Sequence, residues 1–237
     1  MLYSVHNIID DISEIALLQF MGGDLATVNA ARQSYSAESA AVSEKEVRLI
    51  TYLGAHQHHA PFRHTMITLQ VKAPEFVARQ WYKHVVGSSY SFVDTPWSEF
   101  SQRYRSVAPD YYLPAQIREP HPTNKQQSVS IRGCFDLRES INTSIQNSIQ
   151  QYEALLCAGV ARELARIVLP TAMYTEFTWT ASLQAMAHFV ALRDEAGAQF
   201  EIKRYAQEVG DICRRIAPHS FDALMKNHPI NNVQSVT

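Results

Sequence analysis

Cysteine is scarce in this chain. The 237 residues contain three, Cys134, Cys157 and Cys213, widely spaced and in no CxxC pair. That excludes a disulfide scaffold and a cysteine-built metal knuckle, and free thiols in a reducing, cytoplasmic setting are the simple reading. An excess of one charge is also missing: 21 Lys and Arg face 23 Asp and Glu, for a formal net charge of −2. No surface for a nucleic-acid polymer built on bulk charge is expected, although a few clustered arginines could still hold a small anionic ligand. No apolar run approaches the roughly 18 residues a membrane span needs. The first segment, MLYSVHNIIDDISEIALLQF, has no basic n-region and is broken by Asp10, Asp11 and Glu14. It is not expected to act as a signal peptide. Internal repeats and low-complexity linkers are absent too. What remains is a chain 46% hydrophobic, enough for one well-buried core, and a single domain over residues 1–237 is the expected organisation.

The pattern of apolar residues and breakers predicts a helix-rich α+β fold with a modest sheet. Asp24 before LATVNAARQS reads as an N-capped helix. Ser43 and Glu46 form a capping box, and Gly54 is placed to close the helix that follows. Ile67, Leu69 and Val71 alternate with Thr68 and Gln70, the mark of a half-buried strand. Pro74 then opens a helix through EFVARQWYKHVV that Gly87 can end. The stretch from Ile117 to Ile131, with Pro120, Pro122 and NKQQS, reads as a surface loop. Ile141, Ile145, Ile149, Tyr152 and Leu156 recur at helical spacing before Gly159. A short helix stops ahead of Pro170, two more span about 182–195 and 198–216, and the tail after Asn227 is expected to fray.

Several groups could carry chemistry. On the helix after Pro74, Val77, Trp81 and Val85 share a stripe, and Arg79, Gln80, Lys83 and His84 fall opposite it. An ordinary solvated face is the bland reading. Yet that face holds only a guanidinium, an amide, an ammonium and an imidazole, with no carboxylate, which suits a phosphate or the carbonyls of a base. SEFSQRYR, Ser98 to Arg105, taken blind is a polar turn. HQHHAPFRH, with His56, His58, His59 and His64, invites a metal, but no Cys, Asp or Glu completes a shell and no metal is expected. Arg166 and Arg193 sit in apolar stretches and must find an anion, because a guanidinium does not lose its proton. Glu163 and Glu201 are the ordinary ion-pair candidates; a bound phosphate or an ionising base is the sharper reading.

Taken together, ARQWYKH, SEFSQRYR, ARIVLPTAMYTEFTW and LRDEAGAQFEI resemble, in order, the signature of the flavin-dependent thymidylate synthases. MGGDLATVNAARQSY and HQHHAPFRHTMITLQVKAPEFVARQW also look like that family, and the resemblance runs from about Met21 to Ala217. It implies a curved, mainly antiparallel sheet with flanking helices, assembled as a homotetramer with shared active sites. It implies methylation of dUMP to dTMP using 5,10-methylenetetrahydrofolate as carbon donor and NADPH as reductant, through FAD. Gln80, Lys83, Glu99, Phe100, Ser101, Gln102, Arg103, Arg166 and Arg193 match positions that hold dUMP. Arg193 matches the arginine that favours ionised N3 of the uracil and is the catalytic choice. Ser34, His58, Lys83, His84, Val85, Glu99, Ser182 and His188 match flavin positions. The chain departs from the pattern where the family has Arg-His-Arg, since here the run is Lys83-His84-Val85. The connection 87–96 is longer than usual, Asn is common at the position of Ser182, and residues near Ala60 and Arg63 also differ.

The chemistry fits without the analogy. Methylating C5 of uracil needs electron density there, and a fixed cation beside N3 stabilises the charge that develops at N3, O2 and O4. No cysteine falls in a candidate motif, so a thiol nucleophile is not expected. Two alternatives compete: a related enzyme adding a hydroxymethyl group to a pyrimidine nucleotide, and a non-catalytic protein that keeps the nucleotide or flavin pocket.

Overall fold

The alternation of Ile67, Leu69 and Val71 ends in complete burial of all three, each 0% exposed, in the middle strand of a five-stranded sheet. The computed structural model describes residues 2–84, 97–101, 110–125, 127–130 and 135–229. In chain order it contains β1 (Tyr3–His6), β2 (Glu14–Met21), α1 (Asp24–Arg32), α2 (Glu44–Ala55), β3 (Met66–Pro74), α3 (Glu75–Trp81) and β4 (Trp97–Glu99). There follow β5 (Arg118–Pro120), β6 (Ser128–Ser130), α4 (Phe135–Cys157), α5 (Arg162–Ala165), β7 (Tyr174–Ser182), α6 (Leu183–Arg193), α7 (Phe200–Ile216) and α8 (Pro218–Lys226). Short 3₁₀ turns occupy Gln33–Tyr35, Ala60–His64 and Arg166–Val168. The sheet runs β1-β2-β3-β7-β4, open and antiparallel at every pairing. β5 and β6 pair separately within the stretch expected to be loop.

β3 and β7 register Ile67 on Ala181, Leu69 on Trp179 and Val71 on Phe177, so one face presents a continuous apolar surface. Ile15 and Leu17 of β2 extend it before an irregularity between Leu17 and Gln19, and α3, α6 and α7 cover it. β2 and β7 are strands that sequence pattern missed. In β2 Ile15, Ala16 and Leu17 are all buried, and a strand covered on both faces loses the alternation that identifies it.

The capping box at Ser43 forms as expected, with Glu46 bonded back to the Ser43 amide at 3.1 Å. Two other signals serve different ends. Gly54 does not end α2; a Cβ there would sit 2.8 Å from the Ala223 carbonyl, so the glycine lets α2 and α8 approach closely. Asp24 is in the first turn of α1 rather than at its cap. Its carboxylate accepts from the amides of His219 and Ser220, at 3.1 and 2.7 Å, and so caps α8 across the fold. Pro218, just past the end of α7, opens α8. α3 is shorter than expected, ending at Trp81, with Tyr82 to His84 in a turn whose His84 amide reaches the Trp81 carbonyl at 2.9 Å. The rest of the expected helix, from Val85 on, lies outside the described residues.

Candidate active site

Trp81 anchors the end of α3. It is 1% exposed and stacks on Phe189 of α6, ring centroids 4.5 Å apart, with Phe177, Trp179 and Tyr205 meeting it edge-on. This aromatic cluster holds the turn after α3 against α6. His84 in that turn therefore lies beside Phe189, edge to face at 5.0 Å, and within 6.4 Å of the His188 ring. Arg193, in the last turn of α6, completes the group: its Nε donates to His84 Nε2 at 2.8 Å.

That bond fixes the state of both partners. The acceptor nitrogen must be unprotonated, so His84 carries its proton on Nδ1. Burial first, then the Arg193 charge and His188, push the His84 ring down to about 4, and it is neutral at pH 7. Arg193 uses Nε on the imidazole, leaving the outer nitrogens of its fork for a ligand. The ordinary ion-pair explanations do not hold for the described residues. Glu201 pairs with Arg118 of β5. Arg193 makes no salt bridge among the described residues; burial lowers its guanidinium from the ordinary value, and the nearby Glu195 offsets part of that.

The other expected residues are distributed as follows. Gln80, on α3 and half-buried, donates to Gln199 Oε1 at 2.6 Å, and Lys83 is exposed in the following turn. Glu99 on β4 accepts from Thr175 Oγ1 at 2.9 Å and from the Trp97 indole at 3.2 Å. The Phe100 amide bonds the Glu176 carbonyl at 2.8 Å, and Ser101 follows, half-buried. Ser182 is buried, its hydroxyl capping α6 through the Ala185 amide at 3.2 Å. His188 meets His228 ring to ring, Nδ1 to Nε2 at 3.0 Å. Ser34 and His58 are exposed, the first in the 3₁₀ turn after α1, the second after α2 with its ring edge-on to Tyr52. Arg166 is half-buried in the turn that packs on α4 and α5. Val85, Gln102 and Arg103 lie outside the described residues. The fold thus gathers Arg193, His84 and His188 directly, with Gln80 on the adjoining helix, while Arg166 belongs to the α4–α5 region.

Sequence reasoning missed Gln199, which holds Gln80, and His228, which reaches His188. His59, Gln184, His188 and His228 line a cavity of about 410 Å³ with Gly54, Ala187 and Leu224. His228 follows a helix the sequence did not announce, so nothing local could place it. Among the described residues no group of three His, Cys, Asp or Glu side chains could hold a metal ion. Cys213 is buried beside Met186, its thiol pushed up by desolvation, and Cys157 is exposed at the end of α4. Cys134 is outside the described residues.

The imidazoles make the site acid-sensitive. His59, His84, His188 and His228 are all shifted below the ordinary histidine value, burial being the largest cause for each. A depressed folded-state value means the unfolded chain takes up protons first. Stability is then complete above about pH 6.5 and lost as the pH falls toward 4. For His84 the loss is on the order of 1–2 kcal/mol after allowing for its partial exposure, and the Arg193–His84 bond goes with it. Thermal denaturation of the parent at pH 7.5 and 5 should show the lower midpoint at pH 5, with a smaller drop in His84→Gln. An equal drop in both proteins would remove His84 from the account.

Comparison with known proteins bears on this arrangement. Residues 16–219 match the family model described as thymidylate synthase complementing protein. The chain is 39% identical over 218 residues to a flavin-dependent thymidylate synthase of Thermosipho africanus, covering 90% of each chain. It is 37% identical to one of Thermus thermophilus, covering 88% of this chain and 74% of that one. Among solved structures it is similar to a UMP/dUMP methylase, PolB, of Streptomyces cacaoi bound with 5-Br dUMP. There the TM-score is 0.76 at 29% identity, over 90% of this chain and 94% of the other.

Proposed function

The chain belongs to the thymidylate synthase complementing protein family, and from that premise we propose that it is a flavin-dependent thymidylate synthase converting dUMP to dTMP. The observation that carries the reading is the Arg193–His84 pair, a permanent cation held in one orientation by a neutral ring. Charge that develops on N3, O2 and O4 as C5 becomes nucleophilic is stabilised most by a donor already in place, since nothing need reorganise during the reaction. Gln80, Glu99, Phe100 and Ser101, with Gln102 and Arg103, are assigned to the nucleotide, and Arg166 to the same ligand. Because Arg166 sits on the α4–α5 region, the proposal includes its delivery from a second copy in a homotetramer with shared sites. Leu164 and Ile167, beside it in the chain, are exposed and support a buried contact there.

The residues present fit a flavin. Neutral His84 lies edge to face with Phe189 and near the His188 ring, and the two imidazoles give flat and polarisable surfaces of low charge for a ring system. Lys83 is exposed and available to a pyrophosphate. When bound, FAD supplies the hydride chemistry; NADPH is its proposed reductant and 5,10-methylenetetrahydrofolate the carbon source. No helix among the described residues is long and apolar enough to cross a membrane, and the proposed location is the cytoplasm.

The test is turnover of dUMP with mass detection of the product, run beside UMP. A gain of one methyl group on dUMP supports the reading; a hydroxymethyl product, or no product from flavin-loaded protein, overturns it. A narrower test concerns the Lys83-His84-Val85 run. One ammonium on a flexible stem replaces the family's guanidinium groups, so Lys83→Ala should weaken flavin binding by about 1.5–3 kcal/mol, the range of a charge-assisted hydrogen bond. The loss should shrink at high salt, because Lys83 is exposed. Flavin fluorescence titration at two salt concentrations reads both effects, and unchanged affinity would leave Lys83 to the nucleotide alone.

A further inference from the structure

We propose that Gln199 and Glu201 are positioning residues that fix which polar atom of Gln80 faces the nucleotide. The inference rests on the assignment of Gln80 to the dUMP site. Glu201, in the first turn of α7, is 1% exposed. Its carboxylate pairs with Arg118, accepts the Tyr112 hydroxyl at 2.9 Å and accepts Gln199 Nε2 at 2.9 Å.

A carboxylate offers acceptors only, so Gln199 must turn its NH₂ toward Glu201. Its carbonyl oxygen is then the atom left for Gln80, and it receives Gln80 Nε2 at 2.6 Å. Rotating the Gln80 amide by 180° would set two carbonyl oxygens against each other in a half-buried place, an arrangement with an unmet acceptor on each side. The polarity of one buried carboxylate is thus passed through two amides. Gln80 is left presenting its Oε1, an acceptor suited to a hydroxyl of the nucleotide, together with its second N–H.

The anchor is itself fixed. Arg118 lies over the Phe200 ring, 5.2 Å from the centroid, and Tyr112 is tied through its amide to the Ala172 carbonyl at 2.9 Å. Burial, and Glu201 next to it, raise the Tyr112 phenol, so it stays a donor. The β5–β6 hairpin therefore has a part in the site, since it delivers Arg118.

The experiment compares Gln80→Leu, Gln199→Leu and the double variant in flavin-loaded protein. Nucleotide affinity is read by titration calorimetry, with KM and kcat for dUMP, flavin occupancy and melting temperature measured alongside. Gln80→Leu and Gln199→Leu should each weaken dUMP roughly tenfold, mainly in KM, with flavin occupancy kept. The double variant should be no weaker than the worse single, because both remove one coupled unit. Parent-like nucleotide binding by Gln199→Leu, with Gln80→Leu weakened, overturns the relay, as does strict additivity. Parent-like binding by Gln80→Leu instead overturns the assignment of Gln80 to dUMP. Should Gln199→Leu fold poorly, Glu201→Gln serves: its amide can donate or accept, which frees the orientation of Gln199. The same rise in KM is expected, and an unchanged KM counts against the proposal.

Discussion

Arg193→Ala is expected to abolish dTMP formation while the protein still folds and still binds flavin. The guanidinium is the one group in the described site that combines permanent charge with a fixed direction, set by the 2.8 Å bond from its Nε to His84. Removing a preorganised donor of this kind costs about 10²–10³ in rate, and loss of its full charge should do more. Stability should change little, because no salt bridge of Arg193 among the described residues is broken. Arg193→Lys should recover only part of the activity, since an ammonium cannot bond His84 through one nitrogen and offer a planar fork through two others. Single-turnover kinetics, flavin absorbance and melting temperature separate these claims. A kcat equal to the parent's would sink the assignment of Arg193.

Trp81→Ala is expected to be the most damaging single truncation for stability, by about 3–5 kcal/mol, as for other buried aromatic residues. The side chain meets four aromatic partners, Phe177, Trp179, Phe189 and Tyr205. Its loss also frees the turn carrying His84 from α6, so activity should fall further than the unfolded fraction explains. Trp81→Phe keeps much of the volume and should fall between parent and Ala on both measures. Denaturant unfolding with parallel dUMP turnover is the check; a small stability loss in the Ala variant would mean that the cluster closes over the gap.

How much was legible follows from what each signal depends on. The capping box at Ser43 and Glu46 is a contact within four residues, and the folded chain keeps it. The strand through Ile67, Leu69 and Val71 was visible because its two faces differ. β2 was not, because Ile15, Ala16 and Leu17 are all covered. Gly54 and Asp24 were correctly picked out as special residues but given local jobs, whereas both serve α8, far along the chain. Arg193 and His84 were each singled out from their own segments and given roles by the resemblance to a family, but nothing in either segment says that one bonds the other.

The sequence by itself therefore determined the class of the fold, the family, the elements whose apolar periodicity survives one-sided burial, and the list of residues with suitable chemistry. Those properties depend on residue type and on spacing along the chain. Tertiary structure alone decided the pairings that give the list its meaning: Arg193 on a neutral His84, Gln80 on Gln199 and Glu201, and Asp24 on α8. Each joins groups from separate elements, and whether a ring is neutral or an amide is turned depends on the burial and partners that only the packed chain supplies.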